Sequence, residues 1–443
     1  MLRRYGLACL TAVILMGGLA LVLSSARAAD KPAKDKSTVA EWPQWRGPNR
    51  DGICTEKGLL QKWGDKGPPL AWEAKGLGKG FSSVAIHDGH IVTLGRKNGG
   101  LNLTAVSLNG GKELWSTQLL KKTDKDPNCT PTIAGGLVYS VSTDGGLFCN
   151  DLKSGKLVWE KNFRTDFGGQ MMSGWGYSES PLVDGDRLIC SPGAKDASLA
   201  ALDPKTGNVI WKSVIPKFGD RGGDGAAYSS VVISNGAGIK QYVQLMGRGV
   251  ISVAADDGRF LWGYNAVANG TANIPTPLIS GDYVFASTGY GTGAALLKLS
   301  KDGKGVKAEE QYFLKAKDFQ NHHGGMILLG DYIYCGSQHN QGYPICLEWK
   351  TGKTKWSHGR YDKGEGSAAV LYADGNLYFR FQKGALALVE ANPEEYKEKG
   401  SFVPPQGGDP CWSHPVIAGK RLYLREQDAL YCYELSGDQL AAK

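Results

Sequence analysis

Past residue 28 the sequence has no apolar run long enough to cross a membrane. It lacks Gly-x-Ser-x-Gly, a phosphate-binding Gly-rich loop and the His-Glu-x-x-His zinc motif, so three common routes to hydrolysis and nucleotide chemistry are missing. Cys-x-x-Cys-His is absent, and covalent haem is not expected. A strong excess of one charge is absent too. The formal net charge of +8 falls to +5 without Arg3, Arg4 and Arg27. The lysines are scattered along turns, which reads as solvated faces rather than a nucleic-acid footprint. Low aromatic content, the mark of disorder, is missing as well: the chain has 12 Trp and 19 Tyr.

What is present begins with a leader. Arg3 and Arg4 precede an apolar run from Leu7 to Leu23, and Ala26-Arg27-Ala28 fits a cleavage site. Residues 1–28 are therefore expected to be a signal peptide, with an uncleaved anchor left open by the long apolar run, and with export to the periplasm or cell envelope and no membrane span after leader removal. Residues 29–69 read as a polar tether followed by a Trp/Arg/Gly-rich strap, Trp42 to Gly52, expected to pack across the main body as a plug.

The body, residues 70–437, is organised by one recurring stretch. Ala201-x-Asp203-x-x-x-Gly207-x-x-x-Trp211 is a strand, a tight turn and a second strand. Gly111, Gly155, Gly258 and Gly352 stand four residues before Trp115, Trp159, Trp262 and Trp356, as Gly207 does before Trp211. Around this unit lie two further short strands, one opening at Ser/Thr/His-Pro (Pro131, Pro181, Pro277, Pro415). Four strands per unit of roughly 45–50 residues is the pattern of a propeller blade. The gap between Trp262 and Trp356 spans two units, with the missing tryptophan replaced near Tyr312-Phe313. The last unit has only three strands, and Trp72 sits on a strand with no unit of its own. The expected fold is an all-β, eight-bladed propeller of four-stranded antiparallel blades, closed by the Trp72 strand completing the last blade and followed by a tail, 438–443. Closure removes the exposed edges of an open array. Trp72, Trp115, Trp159, Trp211, Trp262 and Trp356 are expected to dock blade on blade.

Eight cysteines follow the leader. Cys149, Cys346 and Cys432 fall in the slot of Ala201 and Ala105; Cys190 and Cys335 fall in that of Ser140 and Ala286. These five read as small buried fillers. A single disulfide among Cys54, Cys129 and Cys411 is left open.

The Ala-x-Asp-x-x-x-Gly-x-x-x-Trp repeat resembles the motif of PQQ-like (pyrroloquinoline-quinone-type) propellers, and partial copies run from about Trp72 to Leu435. The strap, with Trp175-Gly-Tyr-Ser-Glu-Ser-Pro181, is similar to a group of exported bacterial PQQ-like repeat proteins. Two functions are implied. One is that of a BamB-like, non-catalytic scaffold in the envelope; the other is a quinone- and calcium-dependent alcohol or sugar dehydrogenase. The chain lacks the adjacent Cys-Cys of the dehydrogenase branch and the lipoprotein cysteine of BamB. The reading is a monomeric binding or assembly module that meets an envelope protein or glycan through a propeller face, with no cofactor. PQQ with calcium is the alternative.

Strand-one lead-in loops converge on one mouth of a propeller. They place Tyr177, Glu179, Tyr228, Asn273, His322, His323, Trp412 and His414 as candidates for a ligand face. Glu179 and Asn273 carry oxygen donors suited to calcium. His322, His323 and His414 are weighed as transition-metal ligands, and no metal is assigned. Gly219 to Gly225 is expected to be a surface loop.

Overall fold

A computed structural model describes residues 40–405 and 410–437. The expected leader, the start of the tether and the tail lie outside these residues. The described residues form eight sheets, seven of four strands and one of five. Numbered in chain order, blades 1 to 6 are each built from consecutive strands, from Ala85–His87 through Thr354–Ser357. Blade 7 spans Ala368–Ala373 to Glu398–Phe402, and blade 8 spans Val416–Ala418 to Ala429–Glu434.

Blade 8 is completed from the other end of the chain. Leu70–Ala74 runs antiparallel to its third strand, pairing Trp72 with Cys432 and Glu73 with Tyr431. The inner strands are short for a local reason. In blade 2, Thr132–Ala134 is bracketed by Pro131, which has no N–H to donate, and by Gly135 at φ 59°.

The repeat spacing now has a physical cause. Each motif glycine lies beneath the aromatic ring of the preceding blade. A Cβ at Gly155 would fall 2.5 Å from the Trp115 ring, one at Gly207 2.9 Å from Trp159, and one at Gly258 2.4 Å from Trp211. Gly111 of blade 1 lies under Trp72 of blade 8, which carries the same joint across the closure. At the degenerate unit Tyr312 takes the tryptophan's place over Gly352, and its hydroxyl donates to Trp349 O at 2.8 Å. The indole N–H of Trp115, Trp159 and Trp356 likewise donates to Leu152 O, Pro204 O and Asn392 O of the next blade. All eight outer strands carry a register shift at this position, which holds an aromatic residue in seven of them and Gly400 in blade 7. Such a bulge re-aims the side chain next to it. The paired position on the third strand holds Ala105, Cys149, Ala201, Ser252, Cys346 or Cys432, residues small enough to sit under an indole.

A belt of side-chain staples joins the inner strands. The N–H of Ser83 donates to Thr130 Oγ1, Thr130 to Ser180 Oγ, Ser180 to Ser230 Oγ and Ser230 to Thr276 Oγ1, at 2.9–3.2 Å. These hydroxyl residues therefore tie blades 1 to 5 together in sequence.

The strap lies across the inner strands. Trp42 pairs with Ile86 of blade 1, and Pro43 O accepts from Ile133 N of blade 2. Arg50 donates to Ser180 O and Pro181 O of blade 3 and to Val231 O of blade 4, at 2.5–2.7 Å. Arg46 donates to Met326 O of blade 6. Ile53–Cys54 then adds a fifth, parallel strand to blade 7, and Leu59 bridges Ser436 beyond blade 8. Arg46 and Arg50 both have left-handed backbones, at φ 59° and 60°, a strained state that their anchored guanidinium groups hold in place.

All eight described cysteines are buried and reduced. The disulfide left open among Cys54, Cys129 and Cys411 does not form. Cys54 lies on the added strand of blade 7, and the Cys129 Sγ accepts from Val141 N within blade 2.

Candidate binding site at the channel mouth

The inner-strand lead-ins open into one cavity of about 680 Å³. Its lining follows an alternation along most lead-ins. Phe81, Asn128, Ser178, Tyr228, Ile274 and Trp412 face it, and each stands two residues before Ser83, Thr130, Ser180, Ser230, Thr276 or His414. Extended chain sends alternate side chains to opposite sides, so most residues an odd number of steps from these positions face away, Pro275 being an exception.

That alternation sorts the expected residues. Tyr228, His322, His323, Trp412 and His414 line the cavity. Tyr177, Glu179 and Asn273 are not among the lining residues. The Tyr177 hydroxyl donates to Pro192 O at 2.9 Å and its ring packs on Phe163. Asn273 donates to Met246 O and Gly247 O while its Oδ1 accepts from Asn269 N. Glu179 is buried and accepts from Ser191 N at 2.6 Å. Burial raises its carboxyl to about 7, against a lowering by that bond and by Arg50.

Other parts of the chain complete the wall. Trp45 comes from the strap, and Trp175 and Lys125 from loops after the outer strands of blades 2 and 1. Tyr290, Asn340 and Gln382 come from the loops between the second and third strands of blades 5, 6 and 7. Sequence reasoning confined to strand-one lead-ins missed these. The signal available was Trp45 inside the expected plug and Trp175 inside the motif that accompanies it. The two segments do meet, through Arg50 on Ser180 and Pro181.

The walls are aromatic and the polar groups largely uncharged. Phe81 and Trp412 lie 4.5 Å apart between ring centroids, and His323 lies 5.1 Å from Trp412. The Trp412 indole N–H donates to Gln382 Oε1 at 2.9 Å. His322 is held between Ser367 Oγ (2.7 Å) and Tyr290 Oη (3.1 Å), with the His339 ring 4.2 Å away. Burial, then repulsion from neighbouring rings, holds His322 down at about 2 and His323 at about 3. Burial and the nearby Arg46 guanidinium lower His414 to about 3. All three are neutral imidazoles at ordinary pH. The lining's one carboxylate, Asp126, accepts from Arg96 Nε at 2.6 Å, and its lysine, Lys125, donates to Gly174 O at 2.6 Å.

This donor set does not fit calcium beside a quinone. Calcium takes six to eight oxygen ligands. Glu179 and Asn273 are both outside the lining, and the Asn273 oxygen is already bonded to Asn269 N. Among the described residues no three His, Cys, Asp or Glu side chains converge as metal ligands. Gly219 to Gly225 forms an exposed to half-buried loop, tied by Asp224 to Arg248. It borders a second, smaller cavity with Lys217 and Phe218.

Comparison with known proteins places this geometry. The family model described as "Outer membrane protein assembly factor BamB" matches residues 70–358. Outer membrane protein assembly factor BamB of Moranella endobia is 26% identical over 259 residues, 56% of this chain and 59% of that protein. The match thus spans under two thirds of that relative's length. A 1-butanol dehydrogenase (quinone) of Thauera butanivorans is 26% identical over 140 residues, 29% of this chain and 22% of that protein. Among solved structures, the quinohemoprotein alcohol dehydrogenase ADHIIG of Pseudomonas putida HK5 superposes with a TM-score of 0.63 at 14% identity. The match covers 90% of this chain and 80% of that one. At that identity the likeness is one of fold.

Proposed function

Since the chain belongs to the PQQ-like propeller family described by outer membrane protein assembly factor BamB, we propose that it is an exported, non-catalytic scaffold of the cell envelope. It binds its partner, protein or glycan, at the mouth that carries the aromatic cavity. The observation that carries this reading is the make-up of that cavity. Its walls are rings, amides and imidazoles that burial makes weak bases, and its single carboxylate is held by Arg96. An alcohol oxidation needs a base near the departing hydroxyl proton. A binding surface needs only shaped apolar area with a few fixed polar atoms, and this mouth offers that. The strap supports the reading, because it contributes Trp45 to the cavity wall, with its ring 5.7 Å from that of His414.

The test is a photo-cross-linking pull-down from envelope extract with wild type and Trp175→Ala. Recovery of a partner by wild type and its loss in the variant is the expected result. No recovered partner, or a thermal shift with PQQ and calcium accompanied by dye-linked alcohol oxidation, overturns the scaffold reading in favour of a dehydrogenase.

A further inference from the structure

Resting on the reading of the mouth as a binding site, we infer that the cavity takes an uncharged saccharide of one to three rings, stacked on the Trp412 side. Three features converge on that class.

The first is the wall. Pyranose rings have C–H faces of weakly positive character and a belt of hydroxyls at the edge. Aromatic faces are negative, so rings that meet those C–H faces gain both contact area and electrostatic attraction. Phe81, Trp412 and His323 form one such group, and Tyr228 with Trp175 forms another; Trp175 is 60% exposed and stands at the rim.

The second is the set of polar atoms with capacity left over. Gln382 uses Oε1 on Trp412 and keeps its amide NH₂. Asn128 uses Nδ2 on Ser178 and keeps Oδ1. Asn340 uses Oδ1 on Ser367 and keeps Nδ2. His323 Nε2 is buried with no hydrogen-bond partner. Donors and acceptors mixed around one cavity suit hydroxyls, which do both.

The third is charge. A polyanion would need unpaired cations in the lining, and a quaternary ammonium would gain from a free carboxylate beside the rings. Asp126 is paired with Arg96, Lys125 donates to the neutral Gly174 carbonyl and is the lining's single cation, and the imidazoles are neutral. The volume, about 680 Å³, lies in the range of small-ligand sites.

The experiment is a glycan array of neutral and acidic saccharides. Calorimetric titration of the full chain with cellobiose, maltotriose, N,N′-diacetylchitobiose, tetramethylammonium chloride and PQQ then follows. The expected result is binding of at least one neutral saccharide, with a change in tryptophan fluorescence. Binding weakens at least tenfold in Trp412→Ala and in Trp175→Ala. The second variant alters an exposed side chain, so its folding is not in question. Binding only of acidic saccharides, PQQ or tetramethylammonium overturns the inference, as does binding of none. If an envelope partner is still captured and then lost in Trp412→Ala while no saccharide binds, the scaffold reading stands and this inference falls. If neither binds, both fall.

Discussion

Replacing Glu179 by glutamine should make the protein more stable at neutral pH and leave it unchanged in acid. Glu179 is 2% exposed, and burial raises its carboxyl from 4.5 to about 7 in the folded chain. In the unfolded chain it ionises near 4.5. Below that pH both states hold the proton and the residue adds no pH dependence. Between 4.5 and about 7 the unfolded chain has lost the proton and the folded chain keeps it. Stability therefore falls as pH rises through this window and levels off above it. At about 1.4 kcal/mol per unit, the whole fall is about 3 kcal/mol. Glutamine keeps the acceptor for Ser191 N and has no proton to lose, so it resembles the neutral acid. Urea unfolding of both proteins at pH 4.5, 6 and 7.5 measures the difference directly, and other titrating groups cancel in it. The variant should match wild type at pH 4.5 and exceed it by about 3 kcal/mol at pH 7.5. A difference that stays flat across the window, or a variant that loses stability as pH rises, refutes the reasoning.

The strap makes a second claim. Arg50→Met removes a buried guanidinium that serves three carbonyls of blades 3 and 4, and the loss should be about 3–5 kcal/mol in urea unfolding. The repeat makes a paired one. Gly207→Ala puts a Cβ 2.9 Å from the Trp159 ring, whereas Gly185→Ala, at φ 63°, meets open space. Both strain the backbone, but Gly207→Ala should cost about 1–3 kcal/mol more by thermal denaturation. Trp211→Ala, on a ring 7% exposed, should cost about 3–5 kcal/mol and raise amide exchange first in the flanking blades 3 and 4. His414, held down at about 3, withholds a proton that the unfolded chain takes up below 6.5. His414→Gln should then soften the loss of stability on acidification from pH 6.5 toward 3, read as urea midpoints against pH.

The blade count, the closing strand and the stand-in Tyr312-Phe313 were legible because glycine and tryptophan recur at one spacing, and that spacing has a single steric cause. Trp72 met Cys432 because an outer strand without a blade and a blade without an outer strand leave one pairing. The bulge beside each tryptophan was not legible, since a register shift leaves no residue signature in these strands. At the mouth, convergence of the lead-in loops was readable but side-chain direction was misjudged. Tyr177 and Glu179 flank Ser178, and only Ser178 reaches the cavity; Asn273 lies between Ala272 and Ile274, which both do. Counting by twos from Thr130, Ser180 and Thr276 separates the inward set, apart from Pro275 and His322. Tyr290, Asn340 and Gln382 stayed hidden because loops between the second and third strands carry no shared motif.

The pairing of Leu70–Ala74 with Ala429–Glu434 has a consequence for the order of events in synthesis. The segment that finishes the circle is made early and waits for a mate made much later. Until residues near Tyr431 leave the ribosome, the strap has no complete bed and Trp45 has no position beneath the mouth. A chain that stops before Trp412 lacks both Trp412 and His414 of the cavity wall, along with the strand that Leu70–Ala74 pairs with.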